Sequence, residues 1–262
     1  MSLTENDINR VVLNLLEATK KNEPINSLSG SLSEICIEDG YRIQRTMVES
    51  WTAKGRRIVG KKVGLTNKGA QKNFGATEPV LGHLFDDMLV NMDEGIQASQ
   101  LYQPRVEGEL AIVLEQDLAG PGITPLDVVR ACVGITAALE IMDTRIIDWN
   151  IKVGELVADN CAGAAFVLGG GPLPLQDLDL RYAGFVMKKN GRLAGTGTGA
   201  NVLGSPLDSA AWLVNKLAQM GMSLKAGEII LTGSAVPPVP VEVGDFIQLT
   251  IDRVGKVGCH FD

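Results

Sequence analysis

The first 55 residues carry a helical pattern of apolar positions. Apolar side chains recur at intervals of three and four after residue 7, which is the spacing of one helix face. They are Ile8, Val11, Val12, Leu15 and Leu16. Thr4 and Asp7 have the spacing of a capping box at the start of this helix. A second helix is predicted from about Glu38 to Lys54, with Tyr41, Val48 and Trp51 near one stripe.

Beyond Gly55 the chain becomes rich in glycine and in β-branched residues. Strands are predicted around residues 58–65, 106–114, 184–189, 228–232 and 246–251. Asn190-Gly191 is typical of a hairpin turn, and helices are expected after Thr124-Pro125 and Ser205-Pro206, the latter ending near Gly221. We therefore expect an α+β fold: a small helical N-terminal region, residues 1–55, and a mixed, β-rich domain, residues 56–262.

Composition narrows the class of protein. The chain has 262 residues, 45% of them hydrophobic, and a formal net charge of −7. This charge argues against a nucleic-acid partner. No apolar run reaches the roughly 18 residues that span a bilayer, and the first residues lack the basic start and apolar core of a signal peptide. We expect no membrane partner and a cytoplasmic location.

Three glutamates stand out against apolar surroundings. Glu107 and Glu109 lie two positions apart in a predicted strand and so project from one face, while Glu140 interrupts the apolar run VGITAALEIM. A hard divalent cation would satisfy all three carboxylates. Alternatively, Glu107 and Glu109 face solvent, and Glu140 pairs with Arg105 or Arg145.

Lys62 and Asp159 are further candidates for chemistry. Lys62 lies in a short predicted strand between glycines, in GKKVG. It is either a partly buried acid/base group or anion contact, or a surface lysine beside a turn. Asp159-Asn160, in VADN, either carries function or forms a turn. GTGTGA at 195–200 lacks the framing of a dinucleotide fingerprint.

Ordered motifs resemble the fumarylacetoacetate hydrolase-like superfamily, and within it the 2-keto-4-pentenoate hydratase / 4-oxalocrotonate decarboxylase family. They are GKKVGLT, EPVLG, QPRVEGELAIVL, MDTRIIDW after the isolated glutamate, VADN, KNG with GTGTGANVLGSP, and LKAGEIILTGS before a late VGD. The resemblance covers nearly the whole chain. It implies a mixed β-rich fold around a magnesium or manganese site.

The resemblance also implies roles for individual residues. The metal ligands would be Glu107, Glu109 and Glu140. The catalytic residues would be Lys62 and Asp159. The substrate contacts would be Val80, Leu81 and Ser234. Further candidates to contact a second carboxylate are Lys72, Asn73 and His83.

The implied substrates are 2-oxo or 2-hydroxy dienoates from meta-cleavage of aromatic rings. Hydratases of the family carry an aspartate where this chain has Val80, and valine cannot move a proton. We therefore predict a lyase that decarboxylates 2-oxo-3-hexenedioate (4-oxalocrotonate) to 2-hydroxypenta-2,4-dienoate. RIIDWNIK and LKAGEIILTGSAVPPVPVEVGD are instead similar to the hydratase branch, which would form 4-hydroxy-2-oxopentanoate.

Association is the last expectation from the resemblance. The family implies a homo-oligomer or a complex with the companion hydratase or decarboxylase. A third hypothesis follows, in which the chain is a partner subunit that binds metal but turns over poorly.

Overall fold

The computed structural model describes residues 2–28, 34–175 and 178–262. Its helices are α1 (Glu5–Lys21), α2 (Ile37–Ala53), α3 (Lys68–Phe74), α4 (Pro125–Ala131), α5 (Val153–Ala158) and α6 (Pro206–Gln219). Its strands are β1 (Ile58–Gly64), β2 (Val80–Phe85), β3 (Arg105–Leu114), β4 (Cys132–Met142), β5 (Gly163–Leu168), β6 (Gly184–Lys189), β7 (Arg192–Thr198), β8 (Ile229–Ser234), β9 (Val239–Pro240), β10 (Phe246–Ile251) and β11 (Gly255–His260).

Two sheets organise the described strands. The larger has the order β2-β1-β8-β3-β4-β5, with β9 paired to β3, and the smaller has the order β11-β10-β6-β7. The β1–β8 pair is parallel, and β3 is antiparallel to both β8 and β4. The main core includes Leu110 and Leu139 of the larger sheet and Leu249 of the smaller. The α+β class with a mixed, β-rich architecture is confirmed.

The N-terminal helices form as their patterns predict. In α1 the Thr4 side chain accepts from the Asp7 backbone N–H, while the Asp7 carboxylate accepts from the Thr4 backbone N–H, which is the predicted capping box. Helices α1 and α2 bury their apolar faces in a cluster that also contains Val80 and Ile146. The helical region therefore shares a core with the sheet domain, and the boundary near residue 55 stays a prediction.

The five strands predicted from the sequence are present, but β2, β4, β5, β9 and β11 were missed, and β7 was predicted only as the partner strand of the Asn190-Gly191 hairpin. Every residue of β2 is buried, and β4 is buried at eight consecutive positions, Gly134–Ile141. Strands covered on both faces lose the alternation that marks a half-exposed strand. Short helices α3 and α5 were missed as well. In the described part of the chain, no helix is both long and apolar enough to cross a membrane.

Candidate metal centre and active site

Three carboxylates converge where β3 and β4 pair. Glu107 lies directly opposite Glu140 in the antiparallel register, and Glu109 follows Glu107 on the same face of β3. One ligand oxygen from each of the three groups lies within 4.8 Å of the others. Glu109 and Glu140 are almost completely buried, whereas Glu107 is half-buried. The expectation of a solvated glutamate face is therefore wrong.

Burial and mutual repulsion disfavour the ionised form of two of these groups. Burial, followed by the charge of Glu140, raises the pKa of Glu107 to about 8. Burial and the charges of Glu140 and Glu107 raise the pKa of Glu109 well above its usual range. A cation between the carboxylates would reverse both effects, because it stabilises the ionised form.

Lys62 is the cation nearest to this cluster. Its Nζ forms a buried ion pair with Glu140 and donates to the Cys161 carbonyl at 2.8 Å. Burial is the largest influence on the pKa of Lys62 and lowers it, but the charges of Glu140, Cys161 and Glu107 together with the hydrogen bond to Glu140 outweigh burial, so the pKa is raised. Gly82 faces Lys62 across the β1–β2 ladder, where an added Cβ would lie 3.1 Å from the lysine Cγ. Lys62 is therefore a buried ammonium rather than a surface lysine.

The remaining contacts of Glu109 test whether a metal fits. Its Oε2 accepts from the Gly233 backbone N–H at 2.7 Å, while its Oε1 is buried with no hydrogen-bond partner among the described residues. Gly233 has φ +104°, and an added Cβ there would overlap with the Thr66 side chain. An orphaned carboxylate oxygen beside two further carboxylates is the donor set of a hard divalent cation. The residues therefore fit a divalent metal ion.

A cavity of about 630 Å³ opens beside these carboxylates. Its polar walls include Lys62, Glu107 and Ser234. The apolar side chains on its walls are Val63, Leu65, Ala70, Phe74, Met142, Trp149, Leu156, Ala235, Val236, Pro237 and Pro238. Ser234 Oγ donates to the Val236 carbonyl at 2.7 Å. Of the substrate contacts expected from sequence, Ser234 is the one that lies on this wall.

Val80 and Leu81 do not line the cavity, so their prediction as substrate contacts is wrong. Both side chains are fully buried in apolar clusters, and neither lines the cavity. Strand β2 is the outer strand of this part of the sheet and is covered on both faces. Val80 pairs with Gly64, which does line the cavity. Val80 therefore lies one layer behind the cavity wall, and Leu81 lies in the core.

Asp159 is bonded away from the cavity. Its carboxylate pairs with Arg145 Nε at 2.6 Å and accepts from the Thr144 hydroxyl at 2.9 Å and the Arg145 backbone N–H at 3.0 Å. These contacts occupy both oxygens, and the residue does not line the cavity. Neither Arg145 nor Arg105 pairs with Glu140, so that alternative is also wrong. We assign Asp159 the role of positioning the segment after β4.

The candidates for a second carboxylate divide among different surroundings. Asn73 lines the cavity, whereas Lys72 does not. His83 is buried beside Lys61 on the opposite face of the sheet, where burial lowers its pKa to about 3. Sequence reasoning missed Arg105 as a cavity residue. The available signal was its position two residues before Glu107, on the same face of the strand.

Comparison with known proteins identifies the family of the chain. Residues 60–261 match the family described as fumarylacetoacetate (FAA) hydrolase C-terminal. The chain belongs to this family. It is 39% identical over 247 residues to 2-keto-4-pentenoate hydratase 1 of Dechloromonas aromatica, which covers 94% of each chain.

Two further relatives bear on the reaction. The chain is 40% identical over 251 residues to 2-oxo-hept-4-ene-1,7-dioate hydratase of Escherichia coli, covering 94% of each. Its structure is similar to that of 4-oxalocrotonate decarboxylase from Pseudomonas putida G7 complexed with magnesium and adipate, with a TM-score of 0.94 and 33% identity. That similarity covers 100% of this chain and 99% of the other. Hydratases and a decarboxylase are thus both among its relatives.

Proposed function

We propose that this family member is a divalent-metal-dependent lyase that decarboxylates 2-oxo-3-hexenedioate to 2-hydroxypenta-2,4-dienoate. The bond to the distal carboxylate breaks and CO2 leaves. The electron pair moves through the conjugated system to the 2-oxo oxygen, which takes up a proton.

The ligands of the metal would be Glu107, Glu109 and Glu140. When bound, magnesium or manganese would supply Lewis acidity that stabilises negative charge on the oxygens of a 2-oxo acid. The chain's own contribution centres on Lys62, whose ion pair keeps Glu140 oriented and whose ammonium borders the cavity. Lys62 is the proton donor that the geometry supports best for the 2-oxo oxygen.

The observation that supports decarboxylation is the composition of the cavity wall. Among the described residues, the wall has no aspartate and no histidine, and Glu107 is its one glutamate. Hydration needs a positioned acid/base to activate water at the distal carbon. Loss of CO2 needs no activated water.

The apolar part of the wall favours the same reaction. Phe74, Leu156 and Val236 offer no polar partner from their side chains to a distal carboxylate. A carboxylate next to such groups loses solvation that neutral CO2 does not need. Val80 lies behind this wall and contributes no proton-transfer group, unlike the aspartate of the hydratases that the chain resembles.

Hydration of 2-hydroxypenta-2,4-dienoate is the second candidate. The similarity to hydratases at 39–40% identity favours it. In that reaction Lys62 would have to serve as the acid/base group, since the described wall offers it as the one amine.

The deciding experiment is an ultraviolet assay with magnesium. The protein is offered 2-oxo-3-hexenedioate and 2-hydroxypenta-2,4-dienoate separately, and CO2 from the first is trapped. Release of CO2 without consumption of the second supports the proposal. Consumption of the second without CO2 release establishes the hydratase instead. Magnesium-dependent binding of adipate with neither reaction would identify a binding subunit.

Glu109→Gln is the matched control for contaminating activity. It removes a buried metal ligand with little change in volume, so CO2 release that survives this substitution does not come from the proposed site.

A further inference from the structure

We infer that Arg105, stacked on Trp149, binds the carboxylate of the 2-oxo acid at the end of the substrate that is retained. This rests on the proposed function. It identifies a substrate-recognition residue that neither the glutamate cluster nor Lys62 supplies.

Arg105 brings a positive charge to the cavity wall that no carboxylate of the described residues pairs with. Lys62 and Arg105 are the cationic side chains on the described cavity wall. Lys62 is committed to Glu140, whereas no carboxylate of the described residues lies within ion-pair distance of Arg105. The three glutamates, Lys62 and a divalent cation together carry no net charge. An anionic substrate therefore leaves a negative charge that Arg105 can neutralise.

Arg105 lies beside the proposed metal ligands on the same face of β3. Arg105 precedes Glu107 by two residues in β3, so both project from the same face of the strand about 7 Å apart along it. Arg105 also pairs with Met142 in the register that places Glu107 opposite Glu140. Its Cα thus lies one repeat of the strand beyond the proposed metal ligands. The retained carboxylate binds at the metal end, while the leaving carboxylate points into the apolar part of the wall.

The Trp149 ring orients the guanidinium of Arg105. The Arg105 guanidinium carbon lies 4.5 Å from the centre of the Trp149 ring. The Trp149 indole N–H donates to the Gln103 carbonyl at 3.1 Å, which fixes the ring. Asp148 and Trp149 have φ +59° and +54°, an unusual conformation for residues other than glycine. Stacking restrains the guanidinium but leaves its N–H groups free to bind a carboxylate in bidentate fashion.

Pyruvate is the probe, because it carries a 2-oxo group and one carboxylate but no distal group. Methyl pyruvate is the control ligand, because its ester lacks the charge. Calorimetry of the magnesium-loaded full chain compares wild type with Arg105→Met and Arg105→Lys. Magnesium affinity is measured separately without pyruvate.

Arg105→Met is expected to weaken pyruvate binding by roughly 10- to 100-fold, the value of a charge-assisted hydrogen-bond pair. Arg105→Lys restores part of that loss, because it keeps the charge but not the planar fork. Methyl pyruvate binding and magnesium affinity stay near those of wild type.

Two results overturn the inference. One is unchanged pyruvate binding by Arg105→Met, and the other is an equal loss for methyl pyruvate. Where pyruvate binding is unchanged, weakened binding of adipate in the same calorimetry would assign Arg105 to the distal carboxylate instead. Failure of the proposed function looks different, since wild type then releases no CO2 from 2-oxo-3-hexenedioate, whatever the calorimetry with pyruvate shows. If Arg105→Met does not fold, Arg105→Lys and Trp149→Leu carry the same comparison.

Discussion

Glu107 and Glu140 lie directly opposite each other on antiparallel strands β3 and β4. Like charges in such a pair destabilise a sheet. Lys62 pairs with Glu140, but Glu109 adds a third carboxylate to the same place. In the metal-free protein this part of the sheet is thus organised for binding a cation rather than for stability.

Replacing Glu107 by a neutral side chain should have opposite effects with and without metal, because burial and the charge of Glu140 oppose ionisation of Glu107 whereas a metal requires it. Glu107→Gln is expected to raise the free energy of unfolding of the metal-free protein by about 1 kcal/mol. Wild type should gain about 2.7 kcal/mol at a magnesium concentration 100 times its Kd, and the variant should lose most of this gain. Urea unfolding with EDTA or with magnesium measures both effects.

Glu228→Gln is the control for that prediction. Glu228 lies 3.7 Å from Lys61, away from the glutamate cluster. Its substitution should leave the stabilisation by magnesium unchanged. An equal loss in both variants would show that magnesium stabilises the chain at another site.

The raised pKa of Glu107 predicts a pH dependence in the metal-free protein. The pKa is about 8 in the folded state, against 4.5 for an unperturbed glutamate. Between these values the folded state holds a proton that the unfolded state has lost. The protonated Glu107 carboxyl therefore contributes its full stability to the folded state below pH 4.5, and this stability is lost as the pH rises to about 8.

Magnesium competes with the same proton. Its affinity should rise with pH through this window, because the ligands must be deprotonated. Calorimetry across the window tests the trend. A pH-independent affinity would contradict the assignment, as would a Glu107→Gln variant whose metal-free stability shows the same pH slope as wild type.

Lys62 and Lys61 provide an internal comparison on adjacent positions of β1. Lys62→Met should reduce turnover by about 100-fold or more, as expected for loss of a positioned proton donor. Lys61 has its own carboxylate partner, Glu228, and lines a different cavity. Lys61→Met should keep turnover near that of wild type.

Steady-state kinetics with a circular dichroism check of folding distinguishes these variants. Comparable losses in both would mean that β1 tolerates neither change, and the role assigned to Lys62 would fail.

Asp159 should be needed for stability more than for chemistry. Asp159→Asn removes the charge that pairs with Arg145, and breaking a buried ion pair on one side costs about 3–5 kcal/mol. Magnesium affinity should be retained in the folded variant. A stable Asp159→Asn protein with abolished turnover would contradict the positioning role and restore the catalytic one.

Val80 is the position at which the two candidate reactions differ by resemblance. Val80→Asp should lower the free energy of unfolding by at least about 2 kcal/mol, because the site is fully buried. Consumption of 2-hydroxypenta-2,4-dienoate should appear in this variant, since position 80 pairs with Gly64, which lines the cavity. Val80→Asn provides a similar shape without the acid. Hydration in both variants or in neither would remove Val80 as the determinant.

Sequence patterns alone predicted the features whose contacts lie within a few residues along the chain. The capping box of α1 and the apolar stripe that follows it depend on neighbours three and four residues apart, so the sequence determined them. The alternating strands and the shared face of Glu107 and Glu109 follow from the two-residue period of a strand. The apolar run around Glu140 indicated a third carboxylate for the same cation, and the resemblance to a family added Lys62 to the site.

Only the tertiary structure determined which side chains distant in sequence contact each other in the site. Lys62 and Glu140 are 78 residues apart, and the register of the four strands β1, β8, β3 and β4 determines that they meet. Strands β2 and β4 are covered on both faces, which erased the pattern that would have revealed them. Val80 and Leu81 are fully buried and do not line the cavity. Arg105 lines the cavity and stacks on Trp149. Sequence spacing fixes which face a side chain takes, but long-range packing fixes what that face contacts.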